Sequence, residues 1–106
     1  MSQNFGSVNP ELTRAIQKLS KGSTLCVRFI PHAEDEMDND GFDHDEVLTC
    51  LRKGKAFGPE NHGRKLRANV VHRGLHIRVV VEGLDEVNED WSMLQRITVV
   101  TVMRVT

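Results

Sequence analysis

The sequence predicts an α+β protein, with N-terminal helices packed on one face of a small, mainly antiparallel sheet. Three observations predict this. Apolar residues before Gly54 recur at helical spacing, those after it alternate with a period of two, and the last segment is apolar at nearly every position. The chain has 106 residues, 39% apolar and 27% charged, which suits a single domain over residues 1–106. We expect residues 1–8 to be disordered.

The first helix is predicted to begin after Asn9. Asn9 can cap it, Pro10 suits its first position, and Gly22 can end it in the left-handed conformation. Residues at i, i+3, i+4 and i+7 form one apolar stripe, namely Leu12, Ala15, Ile16 and Leu19. Residues 24–30 then alternate as a strand that ends at Pro31.

Two further helices are predicted before Gly54. Residues 32–40 form a short helix that stops at Gly41. The next helix begins with Asp43 as its cap and Glu46 three residues later, which is the pattern of a capping box. Gly54 is expected to end it.

The rest of the chain reads as a loop followed by strands. We expect residues 55–63 to form the loop, because they contain Gly, Pro and Asn. A polar connection over residues 83–95 leads to a final strand over residues 96–105. Because that strand is apolar at nearly every position, we expect it to be central in the sheet and covered on both faces.

A hairpin is predicted over residues 66–81. Its turn is assigned to Arg73-Gly74, so that His72 pairs with Leu75. This register gathers the apolar side chains of both strands on one face, and a slip of one residue would disperse them.

Cellular context is predicted from what the sequence lacks. It contains no secretory-signal pattern at its N-terminus and no apolar run long enough to span a membrane. Cys26 and Cys50 lie in apolar patterns, and we expect buried, reduced thiols rather than a disulfide. A cytoplasmic protein without membrane contact follows.

No metal or cofactor is predicted. Acidic residues from Glu36 onward have the spacing of the first calcium ligands of an EF-hand loop, but Val47 occupies the position that needs a bidentate carboxylate. His72 and His76 lie on opposite sides of the predicted turn with no cysteine or carboxylate to complete a zinc site.

His32 is the first candidate for chemistry. It follows a strand and opens a helix, whose N-terminus favours the neutral imidazole that a general base requires. A solvent-facing or capping histidine is the alternative.

A basic sheet face is the second candidate. Although the formal net charge is −1, the acids concentrate between Glu34 and Glu46 and the basic residues lie mainly in the second half. The predicted face carries Arg67, Arg73, His76 and Arg78, with Lys65 and Arg104 nearby. Guanidinium groups on strands can hold phosphate oxygens in pairs of hydrogen bonds. The alternative is an exposed sheet face kept soluble by charge. The chain has no Tyr and one Trp, which argues against base stacking of the RRM type.

These motifs resemble a known family. A strand running into His32-Ala33, Met37 and Gly41 after it, and the final Val99-Val100-Thr101-Val102 are similar to the pattern of the domain of unknown function 4258 family. The resemblance covers about residues 25–103. That family is grouped with compact α+β toxins related to RelE and BrnT, whose members often cleave RNA.

The resemblance implies a site and also shows a departure. It places His32 on the family's histidine and Thr101 on its last-strand threonine, with the sheet between them as the substrate face. Where the family has Arg immediately before its Met, this chain has Glu36, and carboxylates repel a phosphate backbone. Either Arg78 substitutes for that arginine or nuclease activity is lost.

Two functions therefore remain open. The favoured one is a non-catalytic binding module for a protein or nucleic-acid partner, such as RNA or an antitoxin-like protein bound by the acidic helix. The alternative is a metal-independent ribonuclease with His32 as general base, Arg78 as phosphate clamp and Thr101 as hydrogen-bonding support, which RNA would contact through Arg67, Arg73, His76 and Arg104.

Overall fold

The computed structural model describes residues 7–22, 26–84 and 90–105. Parts of three predicted segments lie outside this range: residues 1–6, residues 24 and 25 of the first strand, and residues 85–89 of the polar connection. The elements are α1 (Pro10–Gly22), β1 (Val27–Phe29), α2 (Pro31–Asp40), α3 (His44–Lys53), β2 (Lys55–His62), β3 (Lys65–His72), β4 (Ile77–Glu82) and β5 (Ile97–Arg104).

The five strands form one mixed sheet, which confirms the α+β class. Their spatial order is β1-β5-β4-β3-β2. β1 runs parallel to β5, and the other neighbouring pairs are antiparallel. The predicted final strand is therefore internal, with β1 on one side and β4 on the other.

The helices cover one face of the sheet. Leu12 and Ile16 of α1, Ala33 and Met37 of α2, and Leu51 of α3 belong to one buried cluster. The strand residues in that cluster share a single face by register: Ala56, Ala68, Val70, Ile77, Val79, Val81, Val99 and Val102. We call the opposite face, on which Val71 and Val80 lie, the open face.

Local capping places the helix ends mostly as predicted. The Asn9 Oδ1 accepts the N–H of Leu12 at 3.1 Å, and both hydrogen bonds of the Asp43–Glu46 capping box form. Gly41 ends α2 with φ of 75°. The prediction for Gly22 is wrong, because it is the last helical residue and its φ is not in the left-handed region.

The predicted loop over residues 55–63 is wrong, because residues 55–62 form the edge strand β2. Gly58 and Pro59 lie where the pairing with β3 is irregular, and an edge strand with a bulge tolerates a residue that lacks an N–H. The N-terminal segment pairs with the outer edge of β2. Asn9 donates its N–H to the Ala56 carbonyl at 2.8 Å, and Val8 forms an antiparallel bridge with Phe57.

The predicted hairpin is correct in its faces and wrong in its turn. His72 pairs with Ile77 rather than with Leu75, so four residues, Arg73 to His76, connect the strands. The Nδ1 of His72 accepts the Leu75 N–H at 3.1 Å, and His76 takes φ of 53°. Because the register moves by two residues, the side chains of the paired residues keep their predicted faces, whereas Arg73 and His76 move from the predicted sheet face into the turn.

The cysteines and the connection complete the core. Both cysteines are free, with Cys50 buried and Cys26 partly exposed. Leu84 and Trp91 lie in the polar connection, before and after residues 85–89, and both are buried. Among the described helices, none is long and apolar enough to cross a membrane.

Candidate functional site

The open face carries a cavity that gathers three of the predicted site residues. Its volume is about 270 Å³, and its walls come from β2, β3, β4 and β5. Arg67, Arg78 and Thr101 line it, together with Glu60, Asn61, His62, Asn69, Val80 and Met103. The register explains the grouping, because Asn69, Val80 and Thr101 pair in one row across three strands.

Arg78 is held firmly in this cavity. Its Nε donates to the Oδ1 of Asn69 at 2.7 Å, and its Nη1 lies 3.5 Å from the sulfur of Met103. Asn69 is buried, with 4% exposure. A guanidinium fixed against a buried amide loses little side-chain freedom when it binds an anion.

Arg67 is paired with an acid. Its Nε donates to a carboxylate oxygen of Glu82, which lies directly opposite it on β4. Lys65 lies 3.8 Å from the other Glu82 oxygen. The Glu82 side chain is 11% exposed, so this carboxylate partly neutralises two of the cations on the open face.

His32 does not join the cavity. Its side chain is 67% exposed, and its Nε2 lies 3.4 Å from the Oε1 of Glu36 one turn later in α2. Arg78 and Thr101 line the cavity without it. The predicted triad of His32, Arg78 and Thr101 is therefore not assembled, because α2 lies along β5 and turns the start of the helix toward solvent.

Arg104 has a structural role instead of the predicted place on an RNA-binding face. Its Nη2 donates to the Asp40 carbonyl, and its guanidinium carbon lies 4.6 Å from the centre of the Phe42 ring. By register Arg104 lies opposite Ile77, which faces the helices.

Arg73 and His76 leave the sheet face because both lie in the four-residue turn. Arg73 lines a second cavity, beside Lys53 and Lys55. Of the four residues predicted to contact nucleic acid, Arg67 alone lines the first cavity.

The acids of α2 serve mainly within the fold. Glu36 accepts the backbone N–H of Val102 at 3.2 Å, and the Oδ2 of Asp40 accepts that of Arg104 at 3.2 Å. Glu34 lies 3.9 Å from the Nε2 of His44. Three of the five acids of α2 therefore have a contact with β5 or α3.

The sequence patterns do not point to His62, Asn69 and Glu82 as site residues. His62 lies in the segment predicted as a loop, and the predicted hairpin register differs from the observed one by two residues. The signal for Glu82 was present, since the observed register sets it opposite Arg67, and opposite charges favour such cross-strand pairs.

Burial raises the pKa of the Cys50 thiol from 9.0 to about 12, while a hydrogen bond from the backbone of His72 lowers it in part. The thiol also donates to the Val70 carbonyl at 3.4 Å. Cys50 is therefore a core residue and not a nucleophile at neutral pH. Within residues 7–22, 26–84 and 90–105, no group of three or more His, Cys, Asp and Glu side chains could hold a metal ion.

Comparison with known proteins finds no matching family model, curated protein or solved structure.

Proposed function

We propose that this protein is a non-catalytic binding module that holds single-stranded RNA on the open face of its sheet. The observation that supports this most is the cavity shared by Arg67, Arg78 and Thr101. Arg78 is preorganised by Asn69 and Met103, which suits it to grip a phosphate oxygen. Asn61 and Thr101 add hydrogen-bonding side chains for a sugar or a base edge.

The placement of His32 supports binding over cleavage. A general base must reach the 2′-hydroxyl next to the phosphate that the arginines hold. His32 lies outside the arginine cavity and is paired with Glu36.

RNA cleavage at the same cavity is the second candidate, and His62 favours it. This histidine lines the cavity with both arginines. It could take the proton of the 2′-hydroxyl while Arg78 stabilises the charge that develops on the phosphate.

The test compares RNA binding by the wild type, Arg78→Gln and Arg14→Gln, using a fluorescein-labelled single-stranded RNA at low salt. Arg14 is an exposed arginine of α1, on the helical side of the sheet, and is the matched control. We expect Arg78→Gln to weaken affinity at least fivefold, and Arg14→Gln to stay within twofold of the wild type. Wild-type protein that binds no RNA, or equal losses in the two variants, would overturn the proposal.

A cleavage assay in EDTA decides between the two candidates. We expect the wild type to leave RNA intact. Cleavage that persists in His32→Ala and disappears in His62→Ala would replace the binding module by a ribonuclease centred on His62.

A further inference from the structure

A second cavity, of about 290 Å³, lies where α3 meets β2. Lys53 and Lys55 flank Gly54 at this junction, and Arg73 reaches it from the turn between β3 and β4. The remaining lining residues are Phe57, Val71 and His72. Among the described residues, no carboxylate lines this cavity, whereas Glu60 lines the first one.

Three cations line this cavity, namely Lys53, Lys55 and Arg73. Within the part of the chain that the structure describes, Lys53, Lys55 and Arg73 form no ion pair, while Lys65 and Arg67 share Glu82. Three like charges around one concavity raise the local positive potential and repel one another. An anion placed among them would relieve that repulsion.

The walls of the cavity are rigid. A Cβ on Gly54 would lie 2.5 Å from the Cys50 carbonyl oxygen and 2.7 Å from that of Val71, so α3 ends in close contact with β3. The Gly54 N–H donates to the Cys50 carbonyl at 2.7 Å. The backbone that carries both lysines is therefore fixed.

The imidazole of His72, which also lines the cavity, is held in place because its Nδ1 accepts the Leu75 N–H at 3.1 Å. Phe57 and Val71 supply an apolar wall beside these polar groups.

We propose that this cavity binds a dianionic phosphate monoester, with Lys53, Lys55 and Arg73 balancing its charge. A monoester carries close to two negative charges at pH 7 and above, whereas each phosphodiester of an RNA backbone carries one. The charge of these three cations is therefore balanced better by the dianionic monoester than by a single phosphodiester. Two sources share this chemistry: a free nucleotide, and the terminal phosphate of an oligonucleotide. The second source rests on the function proposed above.

The primary test measures binding of adenosine 5′-monophosphate, adenosine and inorganic phosphate by calorimetry at low salt. We expect the monophosphate to bind at least tenfold more tightly than adenosine. The double variant Lys55→Gln/Arg73→Gln should lose at least tenfold in affinity for the monophosphate. The matched double variant Lys18→Gln/Lys21→Gln, which removes two exposed lysines of α1, should stay within twofold. Thermal unfolding confirms that both variants are folded.

The proposal would be overturned if Lys55→Gln/Arg73→Gln bound the monophosphate as tightly as the wild type does, and likewise bound inorganic phosphate as tightly as the wild type does.

An oligonucleotide with and without a 5′-phosphate separates the two sources. If the terminal phosphate is the ligand, it should strengthen wild-type binding at least fivefold and have no effect in Lys55→Gln/Arg73→Gln. Monophosphate binding without RNA binding would support a free nucleotide and refute the RNA-binding function. RNA binding that depends on Arg78, with no monophosphate binding, would refute this inference alone.

Discussion

The Oε1 of Glu36 accepts the backbone N–H of Val102 at 3.2 Å, so a helix side chain takes the place of a neighbouring strand. β1 ends at Phe29, beside Val99, and leaves the later residues of β5 without a strand on that side. Asp40 continues the pattern one turn along α2, at the N–H of Arg104. A carboxylate suits this position, since an arginine would offer no acceptor for this N–H.

Glu36→Ala should destabilise the protein, because it leaves the Val102 N–H without its charged acceptor. We expect a loss of about 1–2 kcal/mol in the free energy of unfolding, measured by urea denaturation. Glu36→Gln retains an acceptor oxygen and should lose less than half as much. Glu34→Ala, whose carboxylate lies 3.9 Å from an exposed histidine, should cost less than about 0.5 kcal/mol. Similar losses for Glu36→Ala and Glu34→Ala would refute the role assigned to Glu36.

Gly54→Ala should be strongly destabilising, because the new methyl group would overlap two backbone carbonyl oxygens, of Cys50 and Val71. We expect a loss of about 1–3 kcal/mol or more by chemical denaturation. Gly22→Ala is the control, since nothing lies within 4 Å of its Cβ position and alanine favours the helix. That variant should match or exceed wild-type stability, and a neutral Gly54→Ala would contradict the close contact of α3 with β3.

Stability should fall in alkali through Cys50. In the unfolded chain this thiol ionises near its ordinary pKa of 9.0, whereas in the folded protein its pKa is about 12. Between these values the folded state holds the extra proton, so raising the pH favours unfolding, by about 1.4 kcal/mol per pH unit at most.

The measurement is the unfolding free energy at pH 8 and pH 10, for the wild type and for Cys50→Ala. The cavity left by Cys50→Ala lowers stability equally at both pH values, so the difference between the two proteins isolates the thiol. We expect the wild type to lose about 1.4 kcal/mol more than the variant over this interval. If the wild type and Cys50→Ala lost the same unfolding free energy between pH 8 and pH 10, the thiol would ionise without unfolding the protein.

Arg104→Ala should separate folding from RNA binding. It removes the hydrogen bond to the Asp40 carbonyl and the contact with the Phe42 ring, and we expect a loss of about 1 kcal/mol in unfolding free energy. Affinity for single-stranded RNA should stay within twofold of the wild type, because this arginine lies away from the open face. A large loss of affinity for RNA would instead show that Arg104 is part of the binding surface.

The elements that the sequence predicts well are those whose signals are local. The capping box of Asp43 and Glu46 lies within one turn of α3, and the alternation of β3 and β4 survives a register change of two residues. β2 is different, because its Gly58-Pro59 composition is typical of a loop. Its strand conformation depends on pairing with β3 and on hydrogen bonds from a distant segment, including Asn9.

For the candidate site too, local patterns predict some residue positions, and long-range contacts determine the others. Strand alternation in the hairpin places Arg67 and Arg78 on one face. Thr101 joins them only because the β4–β5 pairing is irregular between Val80 and Val81, which leaves Val99 on the opposite face. The position of His32 depends on how α2 docks against β5, through Glu36 and Val102, and no pattern near His32 encodes that contact. Hydrogen bonding by the His72 side chain likewise sets the length of the turn that carries Arg73 away from the sheet.

The position of β5 in the sheet has a consequence for biosynthesis. Its neighbours are β1, from the first third of the chain, and β4, which precedes it. While a ribosome is still translating residues before Ile97, both neighbours present unpaired backbone amides and carbonyls to solvent or to a chaperone. The sheet can close only once Arg104 has left the exit tunnel, so β1 and β4 are joined through β5 after the β3–β4 hairpin has been synthesised.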